Sequence, residues 1–419
     1  MKFDKWTVAL AALGVVSLGS VARAEEKPSS VMTALSSTTL SGYVDTSAEW
    51  NPGTGNAFVP PYKFNGPSKA DGFNLDVVQL RIEKPLDEAD WSAGYRVDLW
   101  AGPDANVLGT QSTLSTGHGD FAIRQAYAAL RVPVLNGLDV KVGVFDSIIG
   151  YESVESPNDP NFTRSYGHSI EPQTHTGVLA SYRFSDLISA SLGVANTMGP
   201  VIDSRAFAPV QAANAYPESY KTYMASVAIT APDSLGVLAG STLYGGVVNG
   251  FNNSIVGTGL GAPELNAYVG ATVATPVTGL RLGVAWDLLN VDTIPNSGAL
   301  AGTKASGDIW SLAGYASYQL TEKLSVHGRF EYATGDVDQP GAFSSVSGPV
   351  APYSLAGDLF NNGIYATTVT LQYDLWKNVL SRLEFRWDHS EHGTPFGGTT
   401  GGPTLKNAFL LAANIVYKF

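Results

Sequence analysis

Beyond residue 37, apolar and polar residues alternate along almost the whole chain, and the spacing of an amphipathic helix is nearly absent. The clearest run is Leu380-Ser381-Arg382-Leu383-Glu384-Phe385-Arg386-Trp387-Asp388, with Leu383, Phe385 and Trp387 on one face and Arg382, Glu384, Arg386 and Asp388 on the other. From Leu324 to Tyr332 the pattern returns, with Val326, Phe330 and Tyr332 opposite His327, Arg329 and Glu331, and Leu280 to Asp287 repeats it. Neighbouring residues of a strand point to opposite faces, so each run is a strand with one oily and one wet side. A soluble sandwich alternates as well. Here the apolar face is continuous in strand after strand and ends in aromatics, while the other face mixes glycine, serine and charge, as expected where lipid lies outside a barrel and water inside.

Sixteen such runs lie near residues 38–50, 72–84, 91–101, 121–132, 138–147, 174–184, 187–197, 219–231, 237–250, 264–275, 278–290, 306–320, 323–335, 364–376, 379–390 and 405–419. An even number closes a barrel with both termini on one side. The connections alternate in length: 51–71 and 102–120 begin the long set, and 85–90, 133–137, Ser185-Asp186, 232–236, 276–277, Thr321-Glu322 and Lys377-Asn378 are the short set. Pro133 with Asn136-Gly137, Pro232-Asp233 and Pro276 give the short ones tight-turn chemistry. The long ones, such as Asn51-Pro52-Gly53-Thr54-Gly55-Asn56 and Gly397-Gly398-Thr399-Thr400-Gly401-Gly402, read as mobile external loops. The pattern therefore predicts an all-β fold, a transmembrane antiparallel up-and-down β-barrel of sixteen strands over 38–419, with short periplasmic turns and long extracellular loops.

Both ends of the chain and its aromatics point to the same compartment. Lys2 and Lys5 precede an apolar run from Trp6 to Leu18, and Ala22-Arg23-Ala24 is a small-x-small cleavage pattern, so residues 1–24 read as a signal peptide and 25–37 as a short periplasmic segment. Removing Lys2, Lys5, Arg23 and Asp4 takes away a net +2, and the formal charge of -12 becomes -14. An acidic chain without a basic stripe excludes nucleic acid as a partner, and with no cysteine there is no thiolate metal site or disulfide scaffold. Trp91, Tyr182, Phe184, Tyr318, Tyr373, Tyr417 and Phe419 fall at periplasmic strand ends on the lipid-facing parity, while Trp286, Trp310, Tyr332, Tyr365, Trp387 and Phe409 fall at external ends. Two such belts mark two membrane interfaces. The run Phe409 to Phe419 puts six apolar residues on one face and ends in an aromatic, like the terminal strand through which Gram-negative outer-membrane proteins meet their assembly machinery.

The third long connection, residues 148–173, differs from the flexible ones. It carries Pro157 and Pro160, the aromatics Tyr151, Phe162 and Tyr166, and few glycines, which predicts a shaped loop packed against something. The Gly143-x-Phe145 strand end, the Gly150-Tyr151-Glu152 step, the Glu155-Ser156-Pro157 to Asn161 segment and the Thr174-His175-Thr176-Gly177 start of the next strand resemble the OmpL-like β-barrel porin family. The sharp match spans about residues 121–184, and the weaker strand pattern covers the rest of the mature chain. The resemblance implies an outer-membrane channel, with no catalytic residues to carry over.

Sixteen strands enclose more space than wall side chains fill, so a water channel narrowed by something folded inward is the expected architecture. We expect loop 148–173 to be that constriction, with Glu152, Glu155 and Asp159 facing the permeant. Across from them we place wall residues of inward parity: Arg81, Arg96, Arg131, Arg329, Arg382 and Arg386, with Glu331 and Glu384 beside them. Acidic and basic groups opposed across water create a transverse field that favours small polar solutes over apolar ones. Function then reads as passive diffusion of small hydrophilic solutes and ions through a porin, with a structural or adhesive barrel lacking an open pore as the alternative. Expected partners are outer-membrane lipid and lipopolysaccharide, the assembly machinery through Phe419, the permeant solutes, and two further copies in a homotrimer. No enzyme, cofactor or metal site is expected: Asp388 and His389 are strand neighbours on opposite faces and cannot form a catalytic dyad, and no P-loop, dinucleotide fingerprint or His-x-x-x-His pair occurs.

Overall fold

The computed structural model describes residues 37–419 apart from 54, 61, 111–118, 207–218, 254–260, 293–305, 338–356 and 400. The proposed signal peptide, and all of 25–37 except Ser37, lie outside the described residues. The sixteen strands are β1 (Thr39–Trp50), β2 (Gly72–Lys84), β3 (Ala93–Ala101), β4 (Phe121–Val132), β5 (Leu138–Asp146), β6 (Thr174–Arg183), β7 (Ile188–Ala195), β8 (Thr222–Thr230), β9 (Thr242–Asn253), β10 (Gly261–Ala274), β11 (Leu280–Asp292), β12 (Ser306–Gln319), β13 (Leu324–Val337), β14 (Ile364–Trp376), β15 (Val379–Ser390) and β16 (Asn407–Lys418). Among the described residues the short α-helices α1 (Pro103–Leu108), α2 (Tyr166–Ile170) and α3 (Gly357–Asn361) sit in the long connections.

Each strand pairs antiparallel with its sequence neighbours, and β1 pairs with β16, so the sheet closes as an up-and-down barrel. At the seam Tyr43 lies opposite Lys418 and Trp50 opposite Leu411. Gly42 and Phe419 exchange both backbone hydrogen bonds, at 2.9 and 3.0 Å, so pairing continues to the last residue. Closure leaves no open edge, which is what backbone surrounded by hydrocarbon requires.

The alternation sorts side chains as the sequence indicates. On β15, Leu383, Phe385 and Trp387 are 55, 43 and 38% exposed on the outer face, whereas Arg382, Glu384, Arg386 and Asp388 are at most 3% exposed on the inner one. Trp91, Phe184, Tyr318, Tyr373 and Tyr417 are exposed around the periplasmic end, and Tyr365, Trp387 and Phe409 around the other. Trp50, Phe73, Phe121 and Tyr223 complete the external belt. Within it Tyr332 packs on Trp310 at 5.6 Å and on Tyr365 at 4.6 Å. Phe330 and Phe385, exposed outward midway along β13 and β15, have no polar tip to keep wet.

Two departures from simple alternation matter. The connection expected at 232–236 extends to residue 241 and holds a 3-10 turn, Asp233–Leu238, because Gly236 and Gly240 take left-handed backbone angles that end the strand pattern. Between β3 and β4 the register shifts after Asp98, so that Arg124 and Gln125, though adjacent, are both buried on the inner side.

The connections expected as external loops are partly internal. Tyr62 and Lys69 from 51–71, and Asp104, Ala105 and Leu108 from 102–120, are buried with inward residues of the wall. Tyr62 packs with Leu410 and Ala412, and Ala105 and Leu108 pack with Tyr43, Val77 and Trp100. Glycine-rich sequence implies solvated chain, but the apolar and charged residues between the glycines find partners inside the barrel.

Because the outer face of β15 is oily at mid-strand, Leu383→Arg is expected to destabilise the barrel by about 2–4 kcal/mol. Urea unfolding in lipid vesicles measures it. An unchanged midpoint would mean that this face does not meet hydrocarbon.

Candidate functional site

The connection between β5 and β6, residues 147–173, is pinned to widely separated parts of the wall. Near its start Ile149 and Tyr151 lie against Gly246 of β9 and Gly283 of β11, where any larger residue would collide with them. Tyr151 also stacks on Tyr315 of β12, ring centres 4.2 Å apart. Further along, Val154 packs with Tyr43, Val77, Trp100 and Leu380 on β1, β2, β3 and β15. The Asn161 side-chain amide donates to Thr370 on β14 at 2.7 Å, and Asn266 on β10 donates to the Ile170 carbonyl at 2.9 Å. A segment that reaches strands on opposite sides of a closed barrel passes through its lumen.

Two charge clusters hold it there. On one side Glu155 meets Arg81, Arg96 and Arg124 of β2, β3 and β4, the last two at 3.0 and 3.1 Å. Asp98 binds the same three arginines at 2.7–2.8 Å, and Asp146 takes Arg124 at 2.5 Å. Burial alone raises a carboxyl group; the guanidinium groups of Arg81, Arg124 and Arg96 outweigh it and hold Glu155 below the usual carboxylate range. The stability from this contact is therefore present above the unfolded value of about 4.3. It is lost as pH falls through the depressed folded value.

On the other side Arg329 of β13 contacts Glu152 at 2.9 Å and Glu331 at 3.0 Å and donates to the Thr163 carbonyl at 2.7 Å. Arg386 of β15 contacts Asp388 at 2.9 Å and Glu331 at 3.3 Å, and donates to the Arg164 carbonyl at 2.7 Å. Glu384 accepts the Phe162 and Thr163 backbone N–H groups at 2.6 and 2.9 Å, and Glu331 accepts that of Tyr166 at 2.6 Å. Arg382 donates to the carbonyls of Ser156 and Asp159 at 2.8 and 2.5 Å. Wall side chains thus satisfy the backbone of an irregular segment that has few partners of its own.

The position of the acidic residues differs from the expectation that they face arginines across water. Glu155 and Asp159 are 6 and 5% exposed, and the Glu152 side chain is 3% exposed. Glu152 and Glu155 touch their arginines directly. Asp159 turns back into its own loop, 3.0 Å from Arg164 and accepting from Ser153 N–H at 2.7 Å. Where water is scarce an unpaired charge costs several kcal/mol, so acid and base close the gap between them. Among the expected wall residues Arg131 is set apart: it binds Asp139 at 2.7 Å and the Asp87 carbonyl at 3.2 Å, near the periplasmic turns.

Residues not singled out from sequence, Arg124, Asp98, Arg164 and Tyr62, complete the arrangement together with Tyr166, which the sequence marks only as an aromatic of a packed loop. Arg124 was hidden by the register shift, since strict alternation counted back from Arg131 assigns it to the outer face. Tyr166 donates from its hydroxyl to Asp388 at 2.8 Å, whereas His389, on the other face, shares a hydrogen bond with Asn407 at 2.9 Å. Among the described residues no group of three or more His, Asp or Glu is placed to hold a metal ion.

Removing one member of a buried ion cluster leaves its partners uncompensated. Arg329→Met is expected to cost about 3–5 kcal/mol in unfolding free energy. Adding Glu152→Gln to it should cost less than the sum of the two changes. Vesicle unfolding of the three variants checks this, and strict additivity would contradict the pairing.

Comparison with known proteins places this geometry among channels. Solved structures with the same fold include the outer-membrane channel DcaP of Acinetobacter baumannii, at 12% identity and TM-score 0.56 over 91% of this chain and 97% of that one. OmpF of Salmonella typhi, in complex with daunomycin, matches at 14% identity and TM-score 0.54 over 91 and 97%. The anion-selective porin from Comamonas acidovorans matches at 12% and TM-score 0.53 over 91 and 99%. No curated protein sequence matches the chain. The family profile of the OmpL-like beta-barrel porin-2 proteins matches residues 37–419, nearly the entire length, and the chain belongs to that family of porins.

Proposed function

We propose that this porin lets small hydrophilic solutes and ions diffuse across the outer membrane of a Gram-negative cell through a lumen narrowed by residues 148–173. The observation that carries the reading is the double anchorage of that segment, Glu155 on the arginines of β2, β3 and β4 and Glu152 on Arg329 of β13. A loop tied at both sides of the lumen narrows its cross-section. Its charges act as a paired lining: three arginines, Arg81, Arg96 and Arg124, balance three carboxylates, Asp98, Asp146 and Glu155. Selectivity then follows from this local balance and not from the formal charge of the whole chain.

The same reading includes export through cleavage after Ala24, recognition of the strand ending in Phe419 by the assembly machinery, contact with lipid and lipopolysaccharide through the outer belts, and association of three copies. The continuous apolar outer surface supports the lipid contact, and pairing of the terminal strand through Phe419 fits its role as an assembly signal.

Glu155→Gln leaves three arginines against two carboxylates, a local gain of one positive charge. In planar bilayers with a salt gradient, its reversal potential is expected to move toward anion preference relative to the parent, with higher conductance as the loop loosens. The double variant Glu152→Gln/Glu155→Gln should extend the conductance change. Currents and reversal potentials identical to those of the parent in both variants would rule out a constriction at this loop.

A further inference from the structure

The first loop, residues 51–71, enters the barrel beside the third and touches it at four places. Phe162 packs on the buried cluster that Tyr62 forms with Leu410 and Ala412, the Lys63 backbone N–H donates to the Ser169 hydroxyl at 3.0 Å, and the Phe64 ring lies 6.4 Å from His168 and 5.8 Å from the Arg164 guanidinium. The far leg is fastened to the wall by Lys69, whose ammonium sits 2.6 Å from Asp76 of β2 and 2.6 Å from Asp104 of α1. Between these points Tyr62 is 1% exposed, wedged against Leu410 and Ala412 of β16 with the Arg386 guanidinium 4.0 Å from its ring centre. Arg386 is the side chain that binds the Arg164 carbonyl of the third loop.

The Tyr62 hydroxyl has no hydrogen-bond partner among the described residues, so its ring carries the contact. One face covers a guanidinium and the edge fills the gap between β16 and Phe162, which an aliphatic side chain could not do together. Without the ring, Arg386 keeps only Tyr166, whose ring centre is 5.1 Å from its guanidinium, as an aromatic neighbour, the third loop loses its backing on the β15–β16 side, and space opens between loop and wall.

From this we infer that the narrow region is built from two loops, with Tyr62 of the first loop acting as the positioning residue that sets how far the third loop stands from β16. The inference rests on the reading of 148–173 as the constriction and adds a second determinant of its size. It assigns to 57–71 a role in permeation that glycine-rich external chain would not have.

The test uses the full-length porin in planar bilayers, with Tyr62→Ala, Tyr62→Phe and Glu155→Gln side by side. Tyr62→Ala should raise single-channel conductance by roughly 1.5-fold or more, as the third loop loses the support that sets its distance from β16. It should also admit larger sugars in liposome swelling, while Tyr62→Phe behaves as the parent. If Tyr62→Ala does not assemble, Phe64→Ala, which frees the first loop from Arg164 and His168, should give the same direction of change. Parental conductance and sugar exclusion in the alanine variant that assembles, with Glu155→Gln altered, would overturn the role of the first loop and leave that of the third intact. Parental behaviour in Glu155→Gln as well would remove both.

Discussion

Hydrocarbon offers no partner to a backbone N–H or C=O, and the whole architecture follows from that constraint. A sheet in lipid must close, and here it closes through β1 and β16, with Gly42 and Phe419 completing the last pair. Once the sheet is closed, the period of two along each strand forces every second side chain inward. The inner face of a barrel this wide cannot be filled by its own strands, so polar groups accumulate around a space that must hold water, chain or both.

Chain entering that space meets a second constraint, that irregular backbone far from bulk water needs partners. The third loop obtains them from the wall: Glu384, Glu331, Arg329, Arg382 and Arg386 bind its peptide groups as much as its side chains. Formal charges on the wall are thereby used to hold a shape. The carboxylates that could have lined an open slit are drawn onto arginines, and those ion clusters connect loop position to the charge of the lumen. For a member of a porin family, we propose that connection as the place where single residues adjust what passes.

Strand positions, the belts and the inward parity of Arg329, Arg382, Arg386, Glu331 and Glu384 were legible because each depends on local periodicity, and closure followed from an even number of strands in a lipid-facing sheet. Arg124 was not, because a one-residue shift opposite Asp98 breaks the count. The direct contact of Glu155 with three arginines was not legible either, since it joins residues 31 to 74 positions apart (155 - 124 and 155 - 81). Tyr62 and Lys69 were masked by glycine, proline and asparagine around them, a composition that reports conformational freedom and says nothing of what a tyrosine between the glycines packs on. Gly246 and Gly283, inward residues in otherwise well-patterned strands, were the available sign that another chain segment approaches the wall.

The most direct test of the account is the size limit for sugars entering liposomes that contain either the natural protein or a form in which residues 151–168 are replaced by a short glycine-serine link. Swelling is expected in both, with a clearly larger exclusion limit once the segment is gone. The same limit in the two proteins, or no swelling with either, would contradict it.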